Sequence, residues 1–228
     1  MSADPLRVFI GYDPRVEVTL HVLAASILHR ASQPIAVTPI ALNHMKSFYD
    51  RPRDAKQSTE FSFTRFLTPY LAGFRGWALY VDCDMVMLDD IANLWKLRDD
   101  RYALMCVQHD HKPKETTKFL GEKQIPYARK NWSSLMLMNA SKCTALTPDY
   151  VSTASGLELH QFKWTAESEI GALPARWNHL VDTDPALPLS DISLLHYTIG
   201  GPYLKEFQDC GYADVWRQEY ARTTYSIG

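Results

Sequence analysis

The sequence predicts an α/β fold with a mostly parallel central sheet, and three observations carry that prediction. The run Trp77-Ala78-Leu79-Tyr80-Val81-Asp82-Cys83-Asp84-Met85-Val86-Met87-Leu88 is apolar apart from two carboxylates. Gly73 and Gly76 before it and Asp89-Asp90 after it bound it as a buried strand of the kind found in parallel sheets. Near the start, Val8-Phe9-Ile10, a helical pattern from Val16 to about Arg30 and the segment from Ile35 to Leu42 form a strand, helix, strand unit, which implies parallel pairing through a right-handed crossover. With 228 residues, 46% hydrophobic content and a net charge of −2, the chain has enough apolar material for a sizeable core and is consistent with one domain over residues 1–228.

The elements follow in order. The first strand breaks at Gly11-Tyr12-Asp13-Pro14, at a carboxyl edge where open α/β sheets place ligands. Gly-rich dinucleotide and phosphate-loop patterns are absent, so a nucleotide here would be held by Tyr12 stacking and Asp13 accepting from a base N–H; a plain turn reads these residues equally well. Val18, Val22, Ala25 and Leu28 recur at helical spacing, and Pro34 marks the exit. Residues 43–57 are polar, with Arg51-Pro52-Arg53-Asp54 as a loop. A helix resumes near Ser58-Thr59-Glu60, where Phe63, Phe66, Leu67, Tyr70 and Leu71 form a stripe. Arg65 falls between them, placed either to snorkel to solvent or to reach an anion in a cleft.

After the central strand come a short helix from Ile91 to Leu97 and a strand from Tyr102 to Val107, ending in Gln108-His109-Asp110-His111. Two histidines at that spacing can ligate metal, but Lys112-Pro113-Lys114 favours a solvated loop. Residues 111–130 read as a surface or acceptor-facing loop. Asn131-Trp132-Ser133-Ser134 leads into the strand Leu135 to Met138, closed by Asn139. The later third holds more helix than strand, with Ser141 and Thr144 as helix starts. Glu167-Ser168-Glu169 stands near Trp164, either to bind sugar hydroxyls or as a solvated helix start. Trp177-Asn178-His179-Leu180 begins a short segment. The last apolar strand, Ile192 to Thr198, runs into Ile199-Gly200-Gly201-Pro202-Tyr203, whose amides can approach a ligand closely. His196 alone reads as a hydrogen-bonded core residue. Trp216, Arg217, Tyr220 and Arg222 form either a packed amphipathic helix or a peripheral membrane contact.

The two carboxylates of the central run stand apart from the rest. In a strand Asp82 and Asp84 project to one side and Cys83 to the other, and two adjacent buried anions need a cation or a wet cleft to stay ionised. A divalent metal satisfies both. A second such triplet, Asp182-Thr183-Asp184, runs into Pro185 and Pro188 and reads as a turn with Asx-type hydrogen bonds. No apolar stretch approaches a spanning helix and Met1-Ser2-Ala3-Asp4-Pro5 lacks a signal pattern, so the expected compartment is the cytoplasm. Cys83, Cys106, Cys143 and Cys210 are widely spaced and read as reduced thiols, and the balanced charge argues against nucleic acid as partner.

Taken together, Tyr80-Val81-Asp82-Cys83-Asp84, Ser133-Ser134-Leu135-Met136-Leu137-Met138-Asn139 and His196-Tyr197-Thr198-Ile199-Gly200 resemble, in order, the motifs of family 8 glycosyltransferases and their bacterial relatives, over most of the chain from Phe9 to about Tyr203. The resemblance is to a divergent bacterial branch. It implies the type A glycosyltransferase (GT-A) fold, a single Rossmann-like domain, and transfer of a hexose from a nucleotide sugar, a UDP-sugar above all, to a saccharide or lipid-linked acceptor with retention of configuration. It implies Mn²⁺, with Mg²⁺ as alternative, on Asp82, Asp84 and His196, with Asp82 also near the ribose and Arg65 near phosphate and sugar. The family's phosphate-binding lysine is absent after His196; Lys205, Lys130 or the amides of Gly200 and Gly201 stand in for it. Asn131, Ser133 and Ser134 replace its Asn-small-Gly segment, and Glu167 and Glu169 replace its Asp-Gln-Asp as candidate catalytic carboxylates. The rival readings are a sugar nucleotidyltransferase and a non-catalytic nucleotide-sugar-binding module.

Overall fold

The computed structural model describes residues 4–54, 57–110 and 129–224. β1 (Leu6–Gly11), α1 (Glu17–Arg30) and β2 (Ile35–Ile40) form the expected unit, with β1 and β2 parallel. Pro39, which has no amide to donate, is tolerated because β2 is an edge strand. The helix expected after residue 58 is interrupted: α2 (Phe61–Thr64) and α3 (Thr68–Leu71) are separated by a tighter 3₁₀ turn at Arg65–Leu67. Pro69 explains the break, since proline fits only the first turn of a helix and starts α3.

The central run is not one strand. β3 (Trp77–Val81) and β4 (Met85–Met87) belong to different sheets, and Asp82-Cys83-Asp84 is the crossing between them. Strand alternation therefore does not set the direction of the two carboxylates. The Asp82 amide extends the ladder by one bond to Ser134 O, 2.9 Å, before the chain departs, and Cys83 is buried as expected.

α4 (Ile91–Trp95) is capped by Asp90, whose carboxylate accepts from the Ala92 amide. β5 (Leu104–Val107) and β6 (Leu135–Asn139) follow as expected. The helix starts fall later than Ser141 and Thr144: α5 (Pro148–Thr153) is capped by Thr147, and α6 (Gly156–His160) by a capping box of Ser155 and Glu158. β7 (Ile170–Leu173) is a short strand following the Glu167–Glu169 stretch, where a helix start was one reading, and β8 (His179–Leu180) is a strand of two residues in the short segment expected there; both are below the length that periodicity resolves. β9 (Leu194–His196) and α7 (Ala213–Thr223) complete the described chain.

The six-stranded sheet has the order β2-β1-β3-β6-β5-β7, with β6 antiparallel to both neighbours and the other five strands running one way. The expected α/β fold with a mostly parallel central sheet is the one observed. β4, β9 and β8 form a second, smaller sheet. α7 packs on α1 with Trp216 buried and Arg30 Nη2 2.6 Å from Glu219 Oε1, which favours the packed-helix reading of that segment. Among the described residues no helix is long and apolar enough to cross a membrane. All four cysteines are unbridged.

Candidate active site

The crossing from β3 to β4 brings Asp82 and Asp84 to the end of β9, where His196 sits. One ligand atom from each of the three lies within 4.8 Å of the others. They border a cleft of about 590 Å³ lined also by Arg65, Ser133, Ser134 and His160, and Asp84 is shared with an adjoining depression of about 380 Å³ that reaches Gly200.

Asp82 is buried and held from two sides. Arg65 Nη1 lies 3.0 Å from its Oδ1 and donates also to Ser133 O at 2.9 Å, while Tyr80 Oη donates to Oδ1 at 2.7 Å. Burial pushes the Asp82 carboxyl up, to about 6; the Arg65 charge opposes this and the neighbouring Asp84 adds to it. Arg65 is itself buried, so the arginine that sequence left between snorkelling and reaching an anion reaches one. Gly11 makes this packing possible: a Cβ there would stand 2.5 Å from Tyr80 Oη and 2.6 Å from the Phe61 ring.

Asp84 and His196 meet differently. Asp84 Oδ1 is buried and has no hydrogen-bond partner among the described residues, and His196 Nε2 lies 3.5 Å from it. His196 Nδ1 is 2.9 Å from the amide oxygen of Asn178. An orphaned carboxylate oxygen facing an imidazole nitrogen, with a second carboxylate beside them, is a donor set suited to a hard or borderline divalent cation.

The other residues singled out from sequence are dispersed. Asn131 (φ +66°) and the buried Ser133 and Ser134 line the main cleft, as does Lys130. Gly200 lines the adjoining depression, whereas Lys205 is exposed and lines neither. Asp13 is corrected as an acceptor for a base. Its Oδ1 accepts from the Arg15 amide and Nε, and its Oδ2 from Arg15 Nη2 and the Glu60 amide, so each oxygen already has two donors. Tyr12 faces a separate depression with Pro14, Leu42 and Lys46. Glu167 and Glu169 are not brought to the cleft. Glu167 is largely exposed and pairs with Arg129, and Glu169 Oε2 accepts from Thr165 Oγ1 at 2.8 Å. The second acidic triplet is a turn: Asp184 Oδ2 accepts from the Leu180 amide, and both Asp182 oxygens from the Gly211 amide. His109 is partly buried rather than solvated; burial pulls it down to about 4, and Nε2 has no hydrogen-bond partner among the described residues. His111 and residues 111–128 of the expected loop lie outside the described residues.

Two residues that sequence reasoning passed over belong to this region. Asn178 is completely buried, and His160 borders the cleft with Nδ1 2.8 Å from Ser133 Oγ and its ring edge-on to Phe66. Neither stands in a periodic pattern. Their only sequence signal is a polar side chain among apolar neighbours. Burial, reinforced by the Arg65 charge, pulls the His160 imidazole down to about 3. The unfolded chain then binds more protons between pH 6.5 and that value, so the contribution is fully present above pH 6.5 and is lost as pH falls. At about pH 5 the loss is on the order of 1–2 kcal/mol. His160→Gln is expected to flatten the pH dependence of urea unfolding between neutrality and that pH; an unchanged slope would contradict the assignment.

No protein-family model matches the chain. Protein CDI of Arabidopsis thaliana is 46% identical over 225 residues, 94% of this chain and 86% of that protein. The chain belongs to the Protein CDI family. That relative is a plant protein, whereas the sequence reading pointed to a bacterial branch. Solved structures similar to this CDI-family chain include the bifunctional glycosyltransferase WbbM in its apo form, at TM-score 0.65 and 14% identity over 98% of the chain and 51% of WbbM. The glycosyltransferase GlyE of Streptococcus pneumoniae TIGR4 gives TM-score 0.64 and 14% identity, with 94% of the chain and 60% of GlyE covered. The galactosyltransferase LgtC, in complex with donor and acceptor sugar analogues, gives 0.60 and 14%, with 97% and 98% covered. At these identities the likeness is one of fold, the GT-A fold. The chain spans about half of WbbM and 60% of GlyE.

Proposed function

We propose that this CDI-family chain is a divalent-metal-dependent glycosyltransferase of the family 8 type, which moves a hexose from a UDP-sugar to a saccharide or lipid-linked acceptor with retention of configuration. The observation that carries the reading is the buried, unpartnered Asp84 oxygen facing His196 Nε2, at the carboxyl edge of β3 in a GT-A fold. Asp82, Asp84 and His196 would hold Mn²⁺ or Mg²⁺, which when bound supplies Lewis-acid neutralisation of a departing diphosphate.

The remaining work falls to the chain's own groups. Arg65 keeps Asp82 ionised and aligned despite its burial. In place of the absent family lysine, the depression beside Asp84 offers Gly200 and Arg15, whose guanidinium is fixed by Asp13 and by Ser58 O at 2.8 Å. Gly200 has φ +155°, and a Cβ there would meet the Phe207 ring at 2.5 Å, so only glycine leaves that backbone as it is. Lys130 supplies a cation on the wall of the main cleft, and Asn131 and Ser133 supply hydrogen-bonding groups for sugar hydroxyls. Glu167 and Glu169 lie off this cleft, and the reading gives them no step.

Calorimetric titration of UDP into the protein tests the reading. Binding is expected with Mn²⁺ and at least about tenfold weaker binding with EDTA, because the diphosphate would face Asp82 and Asp84 without a cation. Folded protein that binds neither UDP nor any other nucleoside diphosphate in the presence of Mn²⁺ would sink it.

A further inference from the structure

A buried hydrogen-bond relay behind His196 decides which of its nitrogens is free. We infer that Asn178 is a positioning residue that holds His196 in the tautomer able to take a cation, and that Ser134 and the Asn131 carbonyl set the orientation of Asn178. This rests on the metal site proposed above.

The direction of each bond follows from what each atom can do. Ser134 Oγ lies 2.6 Å from Asn131 O. A carbonyl oxygen only accepts, so Ser134 gives its proton there. Ser134 Oγ then has lone pairs left for the Asn178 Nδ2 amide, which donates to it at 2.9 Å. That turns the Asn178 amide oxygen to the other side, 2.9 Å from His196 Nδ1. An amide oxygen also only accepts, so His196 carries its proton on Nδ1. The neutral ring keeps a lone pair on Nε2, the nitrogen 3.5 Å from Asp84 Oδ1.

Reversing the Asn178 amide would reverse the outcome. Nδ2 would donate to His196 Nδ1 and drive the proton to Nε2, into the space between the ring and Asp84. The reversal would also place Asn178 Oδ1 against Ser134 Oγ. Ser134 could answer only by withdrawing its proton from Asn131 O, leaving two acceptors 2.6 Å apart. Asn178, the centre of the relay, is fully buried, and Ser134 and His196 are nearly so, which leaves the amide its two side-chain partners rather than solvent. The relay starts at Asn131, which borders the cleft, so the loop before β6 and the ligand on β9 are tied by three consecutive hydrogen bonds.

The test uses the full chain. Nitrogen-15 NMR of the imidazoles in metal-free protein, at about pH 8 and so above the ordinary imidazole range, is expected to show His196 protonated on Nδ1 and bare on Nε2. Ser134→Ala removes a single oxygen and frees the amide to turn, so both tautomers should appear and Mn²⁺ affinity, followed by EPR, should fall about tenfold. Asn178→Leu should lose the tautomer preference and about 10- to 100-fold in Mn²⁺ affinity. If Asn178→Leu does not fold, Ser134→Ala still decides. A wild-type ring protonated on Nε2, or variants with the wild-type tautomer and Mn²⁺ affinity, would overturn the inference. Mn²⁺ binding without UDP binding would overturn the transferase reading and leave this inference standing.

Discussion

Asp84→Asn is expected to weaken Mn²⁺ binding by at least about 100-fold, or about 2.7 kcal/mol, while leaving the metal-free fold as stable as the wild type or up to about 1 kcal/mol more stable. The two halves of this expectation have one cause. Without a cation, Asp84 places a buried, unpartnered oxygen beside His196 and a negative charge beside Asp82, and that charge pushes the Asp82 carboxyl up. Neutralising it relieves a like-charge pair. A carboxylate that served the fold alone would behave in the opposite way, its loss lowering stability with no effect on metal. Mn²⁺ titration by EPR and urea unfolding with EDTA present measure the two halves, and a clear loss of metal-free stability with unchanged Mn²⁺ affinity would reject the site.

Arg65→Met should cost about 3–5 kcal/mol of stability near neutral pH, the largest effect expected of any single change here, because among the described residues it leaves the buried Asp82 with the Tyr80 hydroxyl as its side-chain hydrogen-bond donor and no arginine to balance its charge. The loss should shrink on acidification. Burial already raises the Asp82 carboxyl in the wild type, and removing the Arg65 charge raises it further. The folded variant then holds a proton more tightly than the unfolded chain, whose aspartate titrates near about 3.9, so stability falls as pH rises from that value through the folded one. The variant should therefore sit closer to the wild type at about pH 5 than at about pH 8. Arg65→Lys should fall between, since one ammonium cannot reach Asp82, Ser133 O and Phe61 O together as the guanidinium does. Urea unfolding at both pH values checks the sign; a pH-independent difference would mean that the pair is not what Arg65 contributes.

Asp84 and Arg65 divide the site between them. Arg65 is the internal counter-ion that makes a buried Asp82 tolerable, whereas among the described residues Asp84 has no arginine or lysine paired with it. One carboxylate is paid for by the fold and the other is left for a ligand.

The sequence by itself determined the strand, helix, strand start, the buried runs that became β3, β5, β6 and β9, the significance of Asp82 and Asp84 over Asp182 and Asp184, and, through resemblance, His196 as their partner. These were legible because periodicity and burial are properties of neighbours along the chain, and because an acidic pair inside an apolar run is anomalous wherever the run goes. Only the tertiary structure decided that the run splits between two sheets at the acidic pair, that Asp13 spends its acceptors on Arg15 and Glu60, and that Glu167 and Glu169 lie away from the cleft. It alone brought Asn178 from 18 residues away to His196, and Ser134, at the entry to β6 in the other sheet, to Asn178. Hydrogen bonds and ion pairs of this kind act over about 3 Å in space, and nothing in the spacing of residues along a chain records which polar atoms will share a buried point once the sheets have closed.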